Sequence, residues 1–129
     1  MNAENLFPCP CCGYLVFDEP PGSYCVCPIC FWEDDLSQLR FPLQGGGANK
    51  PSLLEAQGAF QRVGAVEPRL VSHVRAATAH DRREEGWRPI DPDRDNLEYA
   101  VMGMDHGSTY PDDETVLYYW RPTYWRLKR

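Results

Sequence analysis

The clearest repeating pattern of apolar positions in this sequence predicts a helix after Pro51. Ser52 and Glu55 match a capping box, in which the two residues satisfy each other's free backbone N–H groups at a helix start. Gly64 stands where a residue in the left-handed conformation commonly ends a helix. Between these signals the apolar residues recur on one helical face: Leu53, Ala56, Phe60 and Val63.

A second helix is predicted over residues 67–79. Pro68 suits the first turn of a helix. The apolar residues of this segment also share a face: Leu70, Val71, Val74 and Ala77. The next residues, 80–95, are charged and contain Pro89 and Pro92, so we expect a loop there.

Strand composition occurs near both ends of the chain. The turn sequence Pro20-Pro21-Gly22 has a strand-like segment on each side, residues 13–17 and residues 23–26. The two segments and the turn together predict an N-terminal β-hairpin. Residues 97–102 and 115–120 are rich in apolar and aromatic side chains and predict a C-terminal β segment.

All six cysteines lie within the first thirty residues, and four of them form two C-x-x-C pairs. Fourteen residues separate the pair Cys9/Cys12 from the pair Cys27/Cys30, which is close to the spacing of zinc-binding motifs. Two such pairs at the ends of a β-hairpin form a zinc ribbon. We therefore predict a zinc site at these four cysteines. Iron stays open, because a rubredoxin-like site uses the same four thiolates.

Cys11 and Cys25 exceed the four ligands that zinc requires. We expect them to be small buried side chains or inert thiols. Two alternatives stay open: that Cys11 replaces Cys12 or Cys25 replaces Cys27 as a ligand, and that the extra thiols have a redox role. Four sulfur ligands leave no open coordination position, which argues against a hydrolytic metalloenzyme and favours a protein that is not an enzyme.

These features predict an α+β fold in one small domain, residues 1–129, with a zinc-ribbon-like hairpin, two helices and a C-terminal β segment. The cysteine module and its helix take up residues 6–64, and a helix with an aromatic β extension takes up residues 65–129. The hydrophobic fraction of 43% suits a modest core. The sequence has no apolar run of about eighteen residues, as a membrane-spanning helix requires. It also lacks a basic start followed by an apolar stretch, so we expect the cytoplasm rather than secretion.

The charge of the chain bears on its partners. The net charge is −6, and residues 1–57 carry seven acidic and two basic side chains, whereas nucleic-acid-binding proteins usually have a basic surface. We therefore expect a protein partner, with a candidate contact patch at Trp32, Glu33, Asp34 and Asp35. The alternative is that Trp32 covers the apolar flank of the second cysteine pair while the acids face water. The aromatic segment 118–126 is either a last strand of the core or a further contact surface.

Over about residues 6–64 the sequence resembles the bacterial cysteine-rich CPCC family. The motifs that carry the resemblance follow one another in order: Cys9-Pro10-Cys11-Cys12-Gly13, Cys27-Pro28-Ile29-Cys30, Trp32-Glu33-Asp34-Asp35, Gly46-Gly47-Ala48-Asn49 and Ser52-Leu53. The resemblance implies a cysteine-rich, metal-binding domain and brings no catalytic residues with it. Small members of this kind look like companions of bacterial toxins, which implies an immunity role.

Three functions are consistent with the sequence. The favoured one is a non-enzymatic protein that binds another protein, for example a cognate toxin, with a structural zinc. The second is a nucleic-acid-binding zinc ribbon, whose affinity would fall steeply with salt. The third is a redox or metal-handling protein that uses Cys11 and Cys25, whose thiols would then react quickly.

Overall fold

The computed structural model describes residues 5–127 and confirms a small α+β domain that begins with a two-stranded antiparallel hairpin. Its strands are β1 (Phe7–Pro8) and β2 (Leu15–Phe17), with Phe7 opposite Phe17 and Pro8 opposite Leu15. The α-helices are α1 (Leu36–Arg40) and α2 (Leu53–Val63). Three short 3₁₀ helices follow along the chain: Pro68–His73, Gly107–Thr109 and Glu114–Leu117.

The hairpin differs from the predicted one in which segments pair. β1 and β2 enclose the first cysteine pair, whereas residues 23–26 form no strand. Val26 instead makes a single β-bridge to Glu33, on the far side of the second cysteine pair. Each C-x-x-C turn reverses the chain direction. The residues before each turn therefore pair with the residues that follow the same turn. The structure therefore has two small separate turns in place of one long hairpin.

Helix α2 is the element that the sequence predicted best. The Ser52 hydroxyl accepts a hydrogen bond from the Glu55 N–H at 3.1 Å, and the Glu55 carboxylate accepts one from the Ser52 N–H at 3.0 Å. Gly64 ends the helix with φ of 85°, in the left-handed region. Leu53 and Ala56 of the predicted apolar face are fully buried and Phe60 is partly buried, whereas Val63, in the last turn, is exposed.

The predicted helix over residues 67–79 is only the short 3₁₀ helix Pro68–His73. Glu67 provides no side-chain cap, and the backbone turns extended at Val74. From there the chain follows the second cysteine pair, where the Arg75 N–H donates to the Pro28 carbonyl oxygen at 3.1 Å. A tertiary hydrogen bond thus replaces the next helical turn.

The predicted C-terminal β segment is wrong, since residues 97–102 and 115–120 form no strand. Leu117, Tyr118 and Tyr119 are buried as separate core side chains, and the backbone around them makes turns. Aromatic and β-branched composition reports burial as well as strand formation. In the second segment the composition reflects burial of residues 117–119, whereas in the first segment residues 99–102 are exposed.

Helix α1 was not predicted, and its last residue anchors the C-terminal part of the chain. Arg40 forms two hydrogen bonds with the Glu98 carboxylate, both at 3.0 Å, and each side chain is 1% exposed. The Arg40 guanidinium also lies over the rings of Tyr110 and Trp125. A buried arginine that is fully paired fixes its partners in place, because leaving either charge unpaired would be costly.

Candidate metal centre

The first cysteine turn, residues 9–13, is a compact knuckle closed by two backbone hydrogen bonds. The Gly13 N–H donates to the Cys9 carbonyl oxygen at 2.7 Å, and the Cys9 N–H donates to the Tyr14 carbonyl oxygen at 2.9 Å. Gly13 has φ of 81°, a conformation that glycine adopts without steric cost. This tight turn brings the side chains of Cys9 and Cys12 to the same side.

The second cysteine turn, residues 27–31, repeats the same backbone. The Phe31 N–H donates to the Cys27 carbonyl oxygen and the Cys27 N–H donates to the Trp32 carbonyl oxygen, both at 2.9 Å. Phe31 has φ of 76°, so it occupies the left-handed position that glycine holds in the first knuckle. Both sulfurs of this knuckle also accept hydrogen bonds from backbone N–H groups at 3.4 Å. The Ile29 N–H donates to Cys27 Sγ, and the Trp32 N–H donates to Cys30 Sγ.

The two knuckles face each other and bring the four predicted sulfur ligands into one buried cluster. The Sγ atoms of Cys9 and Cys30 are 3.6 Å apart, and those of Cys12 and Cys27 are 3.7 Å apart. All four sulfurs lie within 4.8 Å of one another, and all four residues are 0% exposed. A disulfide would need sulfurs about 2.05 Å apart. Four sulfurs about 2.3 Å from a central ion, in a tetrahedron, lie about 3.8 Å from each other, which fits the observed pairs.

The electrostatics of the cluster also fit a cation at its centre. Burial raises the pKa of the Cys9 and Cys30 thiols well above the ordinary cysteine value. Hydrogen bonds from Cys12, Cys30 and Cys9 hold the pKa of Cys27 far below it. Several thiolates cannot be buried side by side without a compensating positive charge. A divalent ion held by these four cysteines would supply that charge and favour the thiolate form of its ligands.

The two extra cysteines lie outside this group of four sulfurs, although the Cys11 thiol is a hydrogen-bonding neighbour of Cys30. Cys11 is 1% exposed and belongs to the packed core, where burial raises the pKa of its thiol. Cys25 is partly exposed, with its sulfur 3.9 Å from a Glu19 carboxylate oxygen. The four sulfurs that converge are therefore those of the two C-x-x-C pairs, as the spacing predicted.

A segment that carries no metal-binding signal, residues 82–90, covers the first knuckle. The Trp87 indole N–H donates to the Pro10 carbonyl oxygen at 3.1 Å, and Arg83 Nε donates to the Cys12 carbonyl oxygen at 2.8 Å. The side-chain amide of Gln57, from α2, donates to the same Pro10 oxygen at 3.0 Å. These contacts satisfy backbone groups that the tight turn leaves free.

A different segment, residues 66–75, covers the second knuckle. The Val66 N–H donates to the Cys30 carbonyl oxygen at 2.9 Å, and the Arg75 backbone reaches Pro28 as described above. The Phe31 ring packs against the His73 ring with centroids 5.7 Å apart. Sequence reasoning missed both covers, since single tryptophan, arginine or histidine residues in a charged stretch carry no local signal of what they cap.

The candidate contact patch is corrected by the structure, because three of its four residues are buried. Trp32 is 0% exposed, Asp34 is 2% and Asp35 is 6%. Asp34 accepts hydrogen bonds from the Ser23 hydroxyl at 2.7 Å and the Ser23 N–H at 3.2 Å. Asp35 caps α1 by accepting from the Gln38 N–H at 3.1 Å. Only Glu33 is partly exposed, so the acids organise the loop after the second knuckle instead of forming a surface.

In the part of the chain that the structure describes, no helix has the length and apolar character needed to cross a membrane.

Fold and site together define a small cysteine-rich domain built around a buried four-thiol cluster that is arranged to hold a metal ion. The family model described as cysteine-rich CPCC matches residues 7–81, and the chain belongs to this family. The match contains both knuckles, α1, α2 and the cover of the second knuckle, and it ends just before the cover of the first. No curated protein matched the sequence.

Proposed function

We propose that this protein is a non-catalytic binding protein whose fold is held together by a structural zinc ion bound to Cys9, Cys12, Cys27 and Cys30. The observation that carries the proposal is the cluster of four sulfurs from fully buried cysteines, which all lie within 4.8 Å of one another. Four sulfur ligands suit zinc in a structural role, and they leave no position at which water or a substrate could bind the ion.

The remaining residues around the cluster act on the ligands. The N–H groups of Ile29 and Trp32 point at the sulfurs of Cys27 and Cys30, which stabilises thiolates over thiols. Gln57 and Trp87 hold the Pro10 carbonyl, which keeps the first knuckle in position. Zinc, when bound, would cross-link two knuckles that have little other regular structure between them.

Metal analysis of the purified protein tests the zinc proposal. We expect elemental analysis to give one zinc per chain, and a strong chelator to unfold the domain, since metal binding supplies folding energy in small metal-bound domains. Iron at the site would show itself by a red, redox-active protein. A protein that contains no metal and unfolds identically with and without chelator would refute the proposal.

The redox alternative receives little support from the two extra thiols. Cys11 is 1% exposed, and burial raises the pKa of its thiol, whereas a reactive cysteine needs a lowered pKa and solvent access. Cys25 is partly exposed, with its sulfur 3.9 Å from a Glu19 carboxylate oxygen, and it lies outside the four-sulfur cluster.

The binding role requires a surface other than the predicted acidic patch. A toxin-neutralising protein that blocked a basic active site with Asp34 and Asp35 would have to expose them, and both are buried. Exposed apolar side chains instead gather between residues 99 and 104, and such groups on a small domain mark sites of protein contact. Binding to a protein partner, including a toxin, is therefore proposed for that side of the molecule. The nucleic-acid alternative is tested by titration with single- and double-stranded DNA and RNA at low salt, where we expect no binding.

A further inference from the structure

The loop of residues 98–109, here the pinned loop, is held at both ends by one buried side chain. Arg40 binds the Glu98 carboxylate at the start of the loop through two hydrogen bonds of 3.0 Å. At its end the same guanidinium donates to the His106 carbonyl oxygen at 2.9 Å and to the Thr109 hydroxyl at 2.8 Å. Because Arg40 is 1% exposed and fully paired, it fixes the distance between the ends of the loop.

The tip of the pinned loop has its own internal order. The Met104 N–H donates to the Val101 carbonyl oxygen at 3.1 Å, which closes a four-residue turn. Gly103 has φ of 84° at the third position of this turn, as a type II turn requires. The Val101 N–H in turn donates to His106 Nε2 at 2.9 Å, and the His106 ring packs on Phe41 with centroids 4.7 Å apart. The loop is thus tied to α1 and its C-cap at several points.

The ordered tip exposes apolar side chains. Met102, at the second position of the turn, is 101% exposed, and Val101 and Met104 are each 42% exposed. Tyr99, beside them in the loop, is 59% exposed. Exposing these groups to water costs free energy that burial in a complex would recover. A tip that is already ordered also loses little conformational entropy on binding.

The charges around the loop indicate the chemistry of its partner. Residues 95–114 contain six acidic side chains and no lysine or arginine. Asp95 and Glu98 are paired with Arg88 and Arg40, whereas Asp105, directly after the turn, is exposed. An apolar tip beside an exposed carboxylate, on a chain with a net charge of −6, complements an apolar pocket with basic side chains at its rim. The same negative charge would be repelled by an anionic membrane surface.

We propose that the pinned loop is the docking element of this protein, and that Met102 enters an apolar pocket, rimmed by lysine or arginine, on a partner protein. This inference rests on the proposed protein-binding function and adds the surface and the partner's chemistry to it.

Site-specific photo-crosslinking in cells that naturally carry the gene tests the proposal. A photoreactive amino acid replaces Met102 in the full-length, metal-loaded protein, and a control carries it at Val63, which is 42% exposed on α2. We expect one protein to be captured from position 102 and not from position 63.

The captured partner is then purified for binding measurements with Met102→Asp and the matched control Val63→Asp. We expect Met102→Asp to weaken binding at least about 30-fold, as for an interface hot spot, and Val63→Asp to change it by less than about 2-fold. Added salt should slow association, and neither variant should change the melting temperature.

Other outcomes separate this proposal from the protein-binding function. A partner captured from position 63 and not from position 102 would overturn the docking role of the loop and leave protein binding intact. Capture of no protein from either position would overturn both. Capture of only a second copy of the chain, or of lipid together with binding to anionic vesicles, would overturn the loop proposal as stated.

Discussion

The two cysteine knuckles have the same backbone and different surroundings. Each is closed by the same pair of backbone hydrogen bonds, and each ends on a residue with φ near 80°, Gly13 in the first and Phe31 in the second. The Trp87 ring lies where a side chain at position 13 would be. At the second knuckle the side chain is present and packs on His73. The ligand geometry therefore sets the backbone of both turns, whereas the covering segment decides which residue can end each turn.

The covers also differ in their relation to the family. Residues 66–75, which cover the second knuckle, lie inside the matched segment, whereas residues 82–90, which cover the first, lie beyond it. The family match therefore contains both cysteine turns and the cover of the second, whereas the cover of the first knuckle lies outside the match. Four predictions examine how far the two knuckles are equivalent.

The largest expected effect is the loss of a ligand from either knuckle. We expect Cys12→Ser and Cys27→Ser to be equally damaging, because both remove one of four ligands from a single ion. Structural zinc contributes on the order of 10 kcal/mol in small domains, which is comparable to the whole stability of a domain. Circular dichroism should show loss of cooperative unfolding in both variants and little change in Cys25→Ser. A Cys27→Ser variant that folds normally while Cys12→Ser does not would show that the knuckles are not joined by one ion.

The second prediction concerns the tryptophan that covers Gly13. In Gly13→Ala the new Cβ would lie 2.4 Å from Trp87 Cδ2, and it would add left-handed strain. We expect a loss of about 3 kcal/mol, from strain of about 1–2 kcal/mol and overpacking of about 1–3 kcal/mol. Gly86→Ala is the control, because Gly86 has φ of 86° and no atom within 4 Å of the added Cβ, so it should cost only about 1 kcal/mol.

A double-mutant cycle in urea unfolding separates the two causes. In a Trp87→Ala background, the cost of Gly13→Ala should fall to about 1 kcal/mol, because the clash is gone and the strain remains. Equal costs in both backgrounds would mean that the tryptophan does not constrain position 13.

The third prediction is the converse experiment at the second knuckle. Phe31→Ala and Phe31→Gly both lose the contact with His73, and only the glycine variant relieves the positive φ. We expect Phe31→Gly to be more stable than Phe31→Ala by about 1 kcal/mol. The preference for glycine over alanine should thus be smaller at position 31 than at position 13. Chemical denaturation of both variants measures this difference in stability. If Phe31→Ala were the more stable variant, the two knuckles would not share the same left-handed backbone position.

The smallest expected effect concerns Asp34, on the flank of the second knuckle. Burial raises the pKa of this carboxyl against the opposing hydrogen bonds from Ser23. A raised folded-state pKa favours the protonated group, so its contribution to stability is present at low pH and is lost as pH rises through the folded pKa. Asp34→Asn keeps a hydrogen-bond acceptor and carries no charge. The free energy of unfolding of this variant, measured in urea relative to the unmodified protein, should therefore increase from about pH 4 toward pH 7. A relative free energy that decreases over that range would contradict the burial of this charge.

The parts of the fold that the sequence predicted are those set by local signals. Helix α2 depends on Ser52, Glu55 and Gly64, which act within one or two turns of each other. The four converging cysteines depend on two short turns, so their spacing was sufficient to select them from six.

The incorrect and missed parts depend on contacts between distant residues. Residues 97–102 have the composition of a strand, but Glu98 forms hydrogen bonds with Arg40, which is 58 positions earlier in the chain. Trp87 and Pro10, which meet at the first knuckle, are 77 positions apart. The acidic residues 33–35 were predicted on a surface because acids are usually exposed, but Asp34 and Asp35 are buried by capping and turn hydrogen bonds. None of these pairings has a pattern along the sequence.

Cobalt substitution shows whether four thiolates from the two knuckles hold a single ion. Cobalt(II) titrated into the metal-free protein reports its ligands by absorption. We expect saturation at one cobalt per chain, with the intense bands of a tetrahedral four-thiolate complex, and an altered spectrum in both Cys12→Ser and Cys27→Ser. A weak octahedral spectrum, or an unchanged four-thiolate spectrum in Cys27→Ser, would contradict it.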